Sequence, residues 1–194
     1  MIRITTLHGH QIATVLHDLA SLRIRVFREY PYLYEGSLAY EKQYLQTYLD
    51  CSQSIAVLAW DGDELIGAST GLPMSAEVEE FQRPFLNRGL SPETIFYCAE
   101  SVLLPDYRGQ GIYKAFFRAR EAHAVDLGAT ETVFCAVVRP DDHPLKPVDY
   151  VSLDHVWAHF GYAPVAGLIT EFSWQDIDGA AETLKPMQFY RKTL

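Results

Sequence analysis

One stretch constrains this chain more than any other. From Ile95 to about Leu104 it reads as a strong strand. Pro105-Asp106 closes that strand, since proline cannot donate to a sheet ladder. Tyr107 then leads into Arg108-Gly109-Gln110-Gly111-Ile112-Tyr113. From Gly111 to Leu127, Ile112, Phe116, Ala119 and His123 share one helical face, and Gly128 stops the helix. A buried strand passing through a glycine loop into a helix aims several backbone N–H groups at one place. The helix start adds about half a positive charge. Gly109 and Gly111 lack Cβ and permit close approach, so the segment suits a pyrophosphate. It is not a P-loop, because no Gly-x-x-x-x-Gly-Lys-Ser/Thr occurs. Nor is there a Gly-x-Gly-x-x-Gly in the first βα unit, so a dinucleotide fold is unsupported.

The rest of the pattern supplies the frame. Ile2, Ile4 and Leu7 suggest a first strand, and the spacing of Ile12 through Phe27 predicts a helix from about His10 to Phe27. Pro31 breaks it. A second helix is expected from Ser37 to Leu49, then a hairpin of Ser54–Trp60 and Leu65–Leu72 around Asp61-Gly62-Asp63. Residues 75–92 read as a short helix and loop. After the central segment come a strand at Thr132–Val138, a loop at 139–150, a helix at Val151–Phe160 and strands at Gly167–Trp174 and Met187–Tyr190. The strand before and the strand after the crossover helix should be parallel. With no repeat or linker, residues 1–194 are expected to form one domain.

Composition narrows the partners. A chain of 194 residues, 48% hydrophobic and 21% charged, can bury a full core. Its formal charge of −9 repels phosphate backbones, so no nucleic-acid partner is expected. No apolar run approaches the roughly 18 residues that span a membrane, and no long apolar leader is present. Cys51, Cys98 and Cys135 read as free thiols in a reducing compartment, so a cytoplasmic location is expected.

The central segment resembles the GNAT superfamily of N-acetyltransferases, whose signature is Gln/Arg-x-x-Gly-x-Gly/Ala after the fourth strand. Arg108 and Gly111 match; Tyr113 stands where a small residue is usual. Leu104-Pro105-Asp106-Tyr107 resembles the Asp-Pro-Glu-Tyr lead-in, with Leu104 in place of the acid. Gly161-Tyr162 after the 151–160 helix looks like the family's Tyr-x-x-x-Gly-Phe ending. Its tyrosine falls on Trp157, which cannot donate a proton to sulfur.

The resemblance implies an α/β (α+β) fold: a mixed, mostly antiparallel sheet of about six or seven strands flanked by helices. In it, the fourth and fifth strands, parallel to each other, splay apart. It also implies direct acetyl transfer from acetyl-CoA to an amine in a ternary complex, with no metal. The pantetheine arm would lie between Ile95–Leu104 and Thr132–Val138, held by backbone groups of Ser101, Val102 and Leu103. The pyrophosphate would sit on Arg108, Gly109, Gln110, Gly111, Ile112, Tyr113 and Lys114. A preplaced N–H stabilises the charge that develops on the acyl oxygen. The acceptor would be a small-molecule or peptide amine; a homodimer is left open.

For the amine proton, Glu100 is the candidate base, being the only carboxylate between Ile95 and Leu104. The competing assignment pairs it with Arg23, Arg25 or Arg139. Tyr150 is the candidate acid for the leaving thiolate, with Tyr97 as another possibility. Tyr30, Tyr32 and Tyr34, alternating beside Glu29 and Glu35, would suit a cationic acceptor; the competing assignment has these rings covering the core. His155 and His159 stand four apart, but no Glu follows the first and no further ligands cluster nearby. A second reading, from another class, is a catalytically silent acyl-CoA-binding sensor or interaction module. It rests on Tyr113 and Trp157.

Overall fold

A computed structural model describes all 194 residues. The strands are β1 (Ile2–His8), β2 (Ile55–Asp61), β3 (Glu64–Pro73), β4 (Ile95–Tyr97), β5 (Ser101–Leu103), β6 (Glu131–Val137), β7 (Ala163–Gln175) and β8 (Glu182–Thr193). The helices are α1 (Leu16–Phe27), α2 (Leu38–Asp50), α3 (Glu79–Leu86), α4 (Ile112–Asp126) and α5 (Asp154–His159). One eight-stranded sheet runs β1-β2-β3-β4-β6-β8-β7, with β5 also on β3. Every pairing is antiparallel except β4 with β6. This is the mixed, mostly antiparallel fold that the resemblance implied.

Helices cover both faces. Along β4 the side chains alternate: Phe96 meets His123 of α4 at 5.7 Å, and its neighbour Tyr97 meets Phe81 of α3 at 5.2 Å. Helices α1, α2 and α3 therefore pack on one face, α4 and α5 on the other. The apolar stripes read from the sequence are the buried ones: Leu19 and Leu22 of α1, Leu45 and Tyr48 of α2, Phe116 of α4.

Three expectations need correction. The helix from His10 starts as a 3-10 stretch, Gly9–Val15, and becomes α-helical only at Leu16. The chain there is tied to the next layer, because Gly9 N–H donates to Ser54 Oγ at 3.1 Å. The last two strands are longer than expected. Pro186, which has no N–H to donate, lies within β8 just beyond the last β6 rung, Val137↔Met187, where no β6 strand residue is paired opposite it. Finally, the strand expected from Ile95 to Leu104 is cut in two, which raises the count to eight.

Candidate functional site

The cut strand makes the site. β4 and β6 pair for three rungs, from Ile95↔Glu131 to Tyr97↔Val133, and Cys98 N–H still donates to Val133 O at 2.7 Å. Beyond that β6 pairs with β8 alone, and β5 pairs with β3 alone. The Glu100 carbonyl fixes the break. It accepts from Thr70 N–H, Ser69 Oγ and Arg120 Nη1, each at 3.1 Å. Arg120 is a buried α4 cation whose Nη1 also donates to Thr70 O at 3.3 Å.

Backbone alternation then decides which groups face the notch. Thr70 N–H donates to Glu100 O and Leu104 N–H donates to Ile66 O, so the residues bonded to β3 are the even-numbered ones. The N–H and C=O groups of Ser101 and Leu103 point away from β3, into the splay. Val102 is opposite Ala68 and turned into the ladder. Of the three backbone positions expected to hold the pantetheine, Val102 is thus not free to do so.

On the α4 side, the glycine loop borders this notch. Gly109 and Gly111 adopt φ of +77° and +82°, which other residues rarely hold, and a Cβ at either would meet no protein atom within 4 Å. Gly111 caps α4 without a side-chain bond, and the first turn carries no acid. Its leading N–H groups are left for an anion. Gln110 Nε2 closes the loop on Asp106 O at 3.1 Å. Ile112 is buried, while Lys114 is exposed. Arg108 donates to Leu103 O at 3.3 Å and to Glu29 at 3.0 Å. The two departures from the family pattern meet each other: Trp157 Nε1 donates to the Tyr113 hydroxyl at 3.5 Å.

On the opposite face, a cavity reaches the splay at Tyr97, Ala99, Glu100 and Cys135. Arg23 of α1 lies at its polar end. Its guanidinium contacts the Glu100 carboxylate, and its Nε bonds Glu41 Oε2 at 2.5 Å. The same group lies over the Tyr44 ring at 4.4 Å. Burial opposes the charge on Arg23, but Glu100 and Glu41 more than offset it and hold its pKa well above the ordinary value. Glu100 is therefore ion-paired with Arg23, one of the partners weighed from sequence.

A third buried carboxylate, after Glu100 and Glu41, was not singled out in the sequence. Glu77 follows the end of β3, and burial pushes its pKa up to about 7. It accepts from Tyr48 OH at 3.4 Å, and the Tyr48 and Tyr44 hydroxyls are 3.3 Å apart. Tyr44 lines the cavity, so a short hydroxyl chain joins Glu77 to it.

The three loop tyrosines separate. Tyr32 and Tyr34 line the cavity; Tyr30 does not, and packs edge-on against Tyr150 at 4.6 Å. Their loop is bolted down. Arg139 donates to Pro31 O at 2.8 Å and Tyr32 O at 2.6 Å while paired with Asp176 at 2.8 Å. Trp174 Nε1 also donates to Tyr32 O, at 3.0 Å. Burial raises the pKa of the Tyr150 hydroxyl, which keeps it protonated at neutral pH. No cluster of His, Cys, Asp or Glu has the arrangement of a metal site. Of the residues missed, Glu41 carried one available signal, as Arg23 did: a charge on an otherwise apolar, buried helical face.

The model of the acetyltransferase (GNAT) family matches residues 17–147. No curated protein matches significantly. Among solved structures, an acetyltransferase of the GNAT family from Streptococcus pneumoniae is similar over 100% of both chains, at 11% identity and a TM-score of 0.61. An aminoglycoside 6'-N-acetyltransferase complexed with coenzyme A is similar over 98% of this chain and 96% of that one, at 16% identity and a TM-score of 0.59. NAA60 from Arabidopsis thaliana, in complex with a bisubstrate analogue, is similar over 99% of each chain, at 12% identity and a TM-score of 0.60.

Proposed function

Because the chain belongs to the GNAT acetyltransferase family, we propose that it moves an acetyl group from acetyl-CoA to an amine by direct transfer in a ternary complex. One observation carries this reading. The splay between β5 and β6 has backbone N–H groups of Ser101 and Leu103 turned into it, an anion-ready loop on one side and a carboxylate-bearing cavity on the other.

The residues fit the coenzyme. Gly109 and Gly111 leave open space where a Cβ would project, and the first N–H groups of α4 lack protein partners. In this reading the N–H groups of Gly109 to Lys114 hold the pyrophosphate, with Arg108 released from Glu29 to join them. When bound, acetyl-CoA supplies the activated thioester. Ser101 and Leu103 align the arm and offer an N–H to the acyl oxygen. Tyr32 and Tyr34 hold the acceptor, and Tyr30 props the loop against Tyr150.

Glu100, just before Ser101, is the proposed base for the amine proton. The raised pKa of Glu77 favours a second reading for this step. There Glu100 and Arg23 orient the amine, and Tyr44 and Tyr48 pass the proton to Glu77. Tyr150 is the proposed donor to the departing thiolate. The three free cysteines fit a reducing compartment, and we place the protein in the cytoplasm.

The test is direct. Protein is incubated with acetyl-CoA and a panel of amines, and free thiol is followed. Thiol release that depends on both substrates supports the transferase. Coenzyme binding without release for any amine would instead support the silent acyl-CoA-binding module.

A further inference from the structure

The cavity beside the splay has a chemical bias that none of its residues explains alone. Its walls are aromatic and apolar, with Phe27, Tyr32, Tyr44, Phe172, Trp174 and Met187 contributing. Three charged side chains line it: Arg23, Glu41 and Glu100. One cation against two carboxylates leaves a net charge of −1 in a buried site. Arg139 and Lys185 lie over the Trp174 ring, but they are committed to Asp176 and to the carbonyls of Pro31, Tyr32 and Trp174.

The surplus falls on Glu41. It is wholly buried, its Oε2 accepts from Arg23, and the Tyr34 hydroxyl faces it. The Tyr34 hydroxyl is a neutral donor, so it can satisfy a lone pair of Glu41 but leaves the surplus charge uncancelled. A buried charge without its own counter-ion is costly, and a ligand carrying positive charge would supply one. Aromatic faces favour the same ligand through their π clouds.

We propose that this cavity selects as acetyl acceptor a monocationic primary amine on a compact aromatic or aliphatic body, its ammonium completing the Arg23–Glu41–Glu100 cluster. This rests on the transferase reading for its role as acceptor site, though amine binding can be measured without turnover. Size agrees with charge. The cavity, partly open to solvent, holds about 80 Å³, room for about half a dozen waters, and the pinned Tyr32 and Tyr34 loop forms part of its wall. Polyamines would bring more charge than one surplus carboxylate answers.

The experiment compares 2-phenylethylamine, the uncharged isostere 2-phenylethanol, spermidine and a short peptide by calorimetry at pH 7, without coenzyme. The expected result is that 2-phenylethylamine binds at least tenfold more tightly than each of the others. Glu41→Gln should erase its advantage over the alcohol. Equal binding of alcohol and amine, or tighter binding of spermidine or peptide, overturns the proposal. If Glu41→Gln does not fold, the wild-type ranking decides alone. Acetyl-CoA binding is titrated on the same samples. Amine selectivity without coenzyme binding breaks the transferase reading and leaves the cavity's preference standing; the reverse pattern breaks only the preference.

Discussion

The two sides of the splay are built on opposite principles. The α4 side is open: exposed glycines in left-handed backbone, an uncapped helix start, and an Arg108–Glu29 pair with both side chains about half exposed. The α1/α2 side is closed: ion pairs, hydroxyls and aromatic rings all lie in the interior. The first leaves its backbone open to an anion and makes few interactions to hold itself. The second prearranges charge away from water, where each group matters more and each loss is dearer. Mutations should therefore act on ligand affinity on the open side, and on rate or stability on the closed one.

Glu100→Gln is the hardest test of that division. As a base it should cost roughly 100- to 10,000-fold in turnover with coenzyme affinity nearly unchanged, and the loss should shrink at high pH. If Glu100 only anchors Arg23, the variant melts earlier and turns over near normally. A pH–rate profile and a melting curve on one preparation separate the two.

Glu77→Gln comes next. The folded pKa of Glu77, about 7, lies above its ordinary value of 4.5. The folded state thus holds the proton more tightly, and this contribution is complete below the ordinary value and lost as pH rises through 7. Relative to wild type, Glu77→Gln should gain up to about 3 kcal/mol between pH 4.5 and pH 8. Urea midpoints at pH 5 and pH 8 measure it. An identical pH dependence in both proteins would mean that Glu77 titrates normally.

Gly111→Val probes the open side. A Cβ there touches no protein atom, so the fold loses only the cost of left-handed backbone, about 1–2 kcal/mol. Acetyl-CoA affinity should fall by much more, because the Cβ projects where the phosphate must approach. Unchanged affinity in the folded variant would sink the loop assignment. The smallest effect belongs to Glu29→Gln. An exposed pair is worth roughly 0–1 kcal/mol, so melting should barely move.

The open side could be read from the sequence and the closed side could not, for a physical reason. Gly109, Gly111 and the strand before them act through backbone geometry that neighbouring residues set. The cavity draws Arg23 from α1, Glu41 and Tyr44 from α2, Trp174 from β7, and, through a hydroxyl chain, Glu77. No local pattern says that these meet. Glu100 was legible as an isolated carboxylate in a strand, but its partner was one of three arginines until packing chose Arg23. The break at Cys98–Glu100 was hidden for a related reason. Those residues suit a strand, and what stops them is an arginine from a helix 20 residues further on.

Glu100 itself touches both sides. Its carbonyl is gripped by Arg120 of α4 and its carboxylate by Arg23 of α1. One residue is thus a through-sheet joint, and neither helix can shift without pulling on it. Two ligands seated on opposite faces would feel each other through that joint. Linkage makes the effect reciprocal: whatever factor the coenzyme imposes on acceptor affinity, the acceptor must impose on coenzyme affinity.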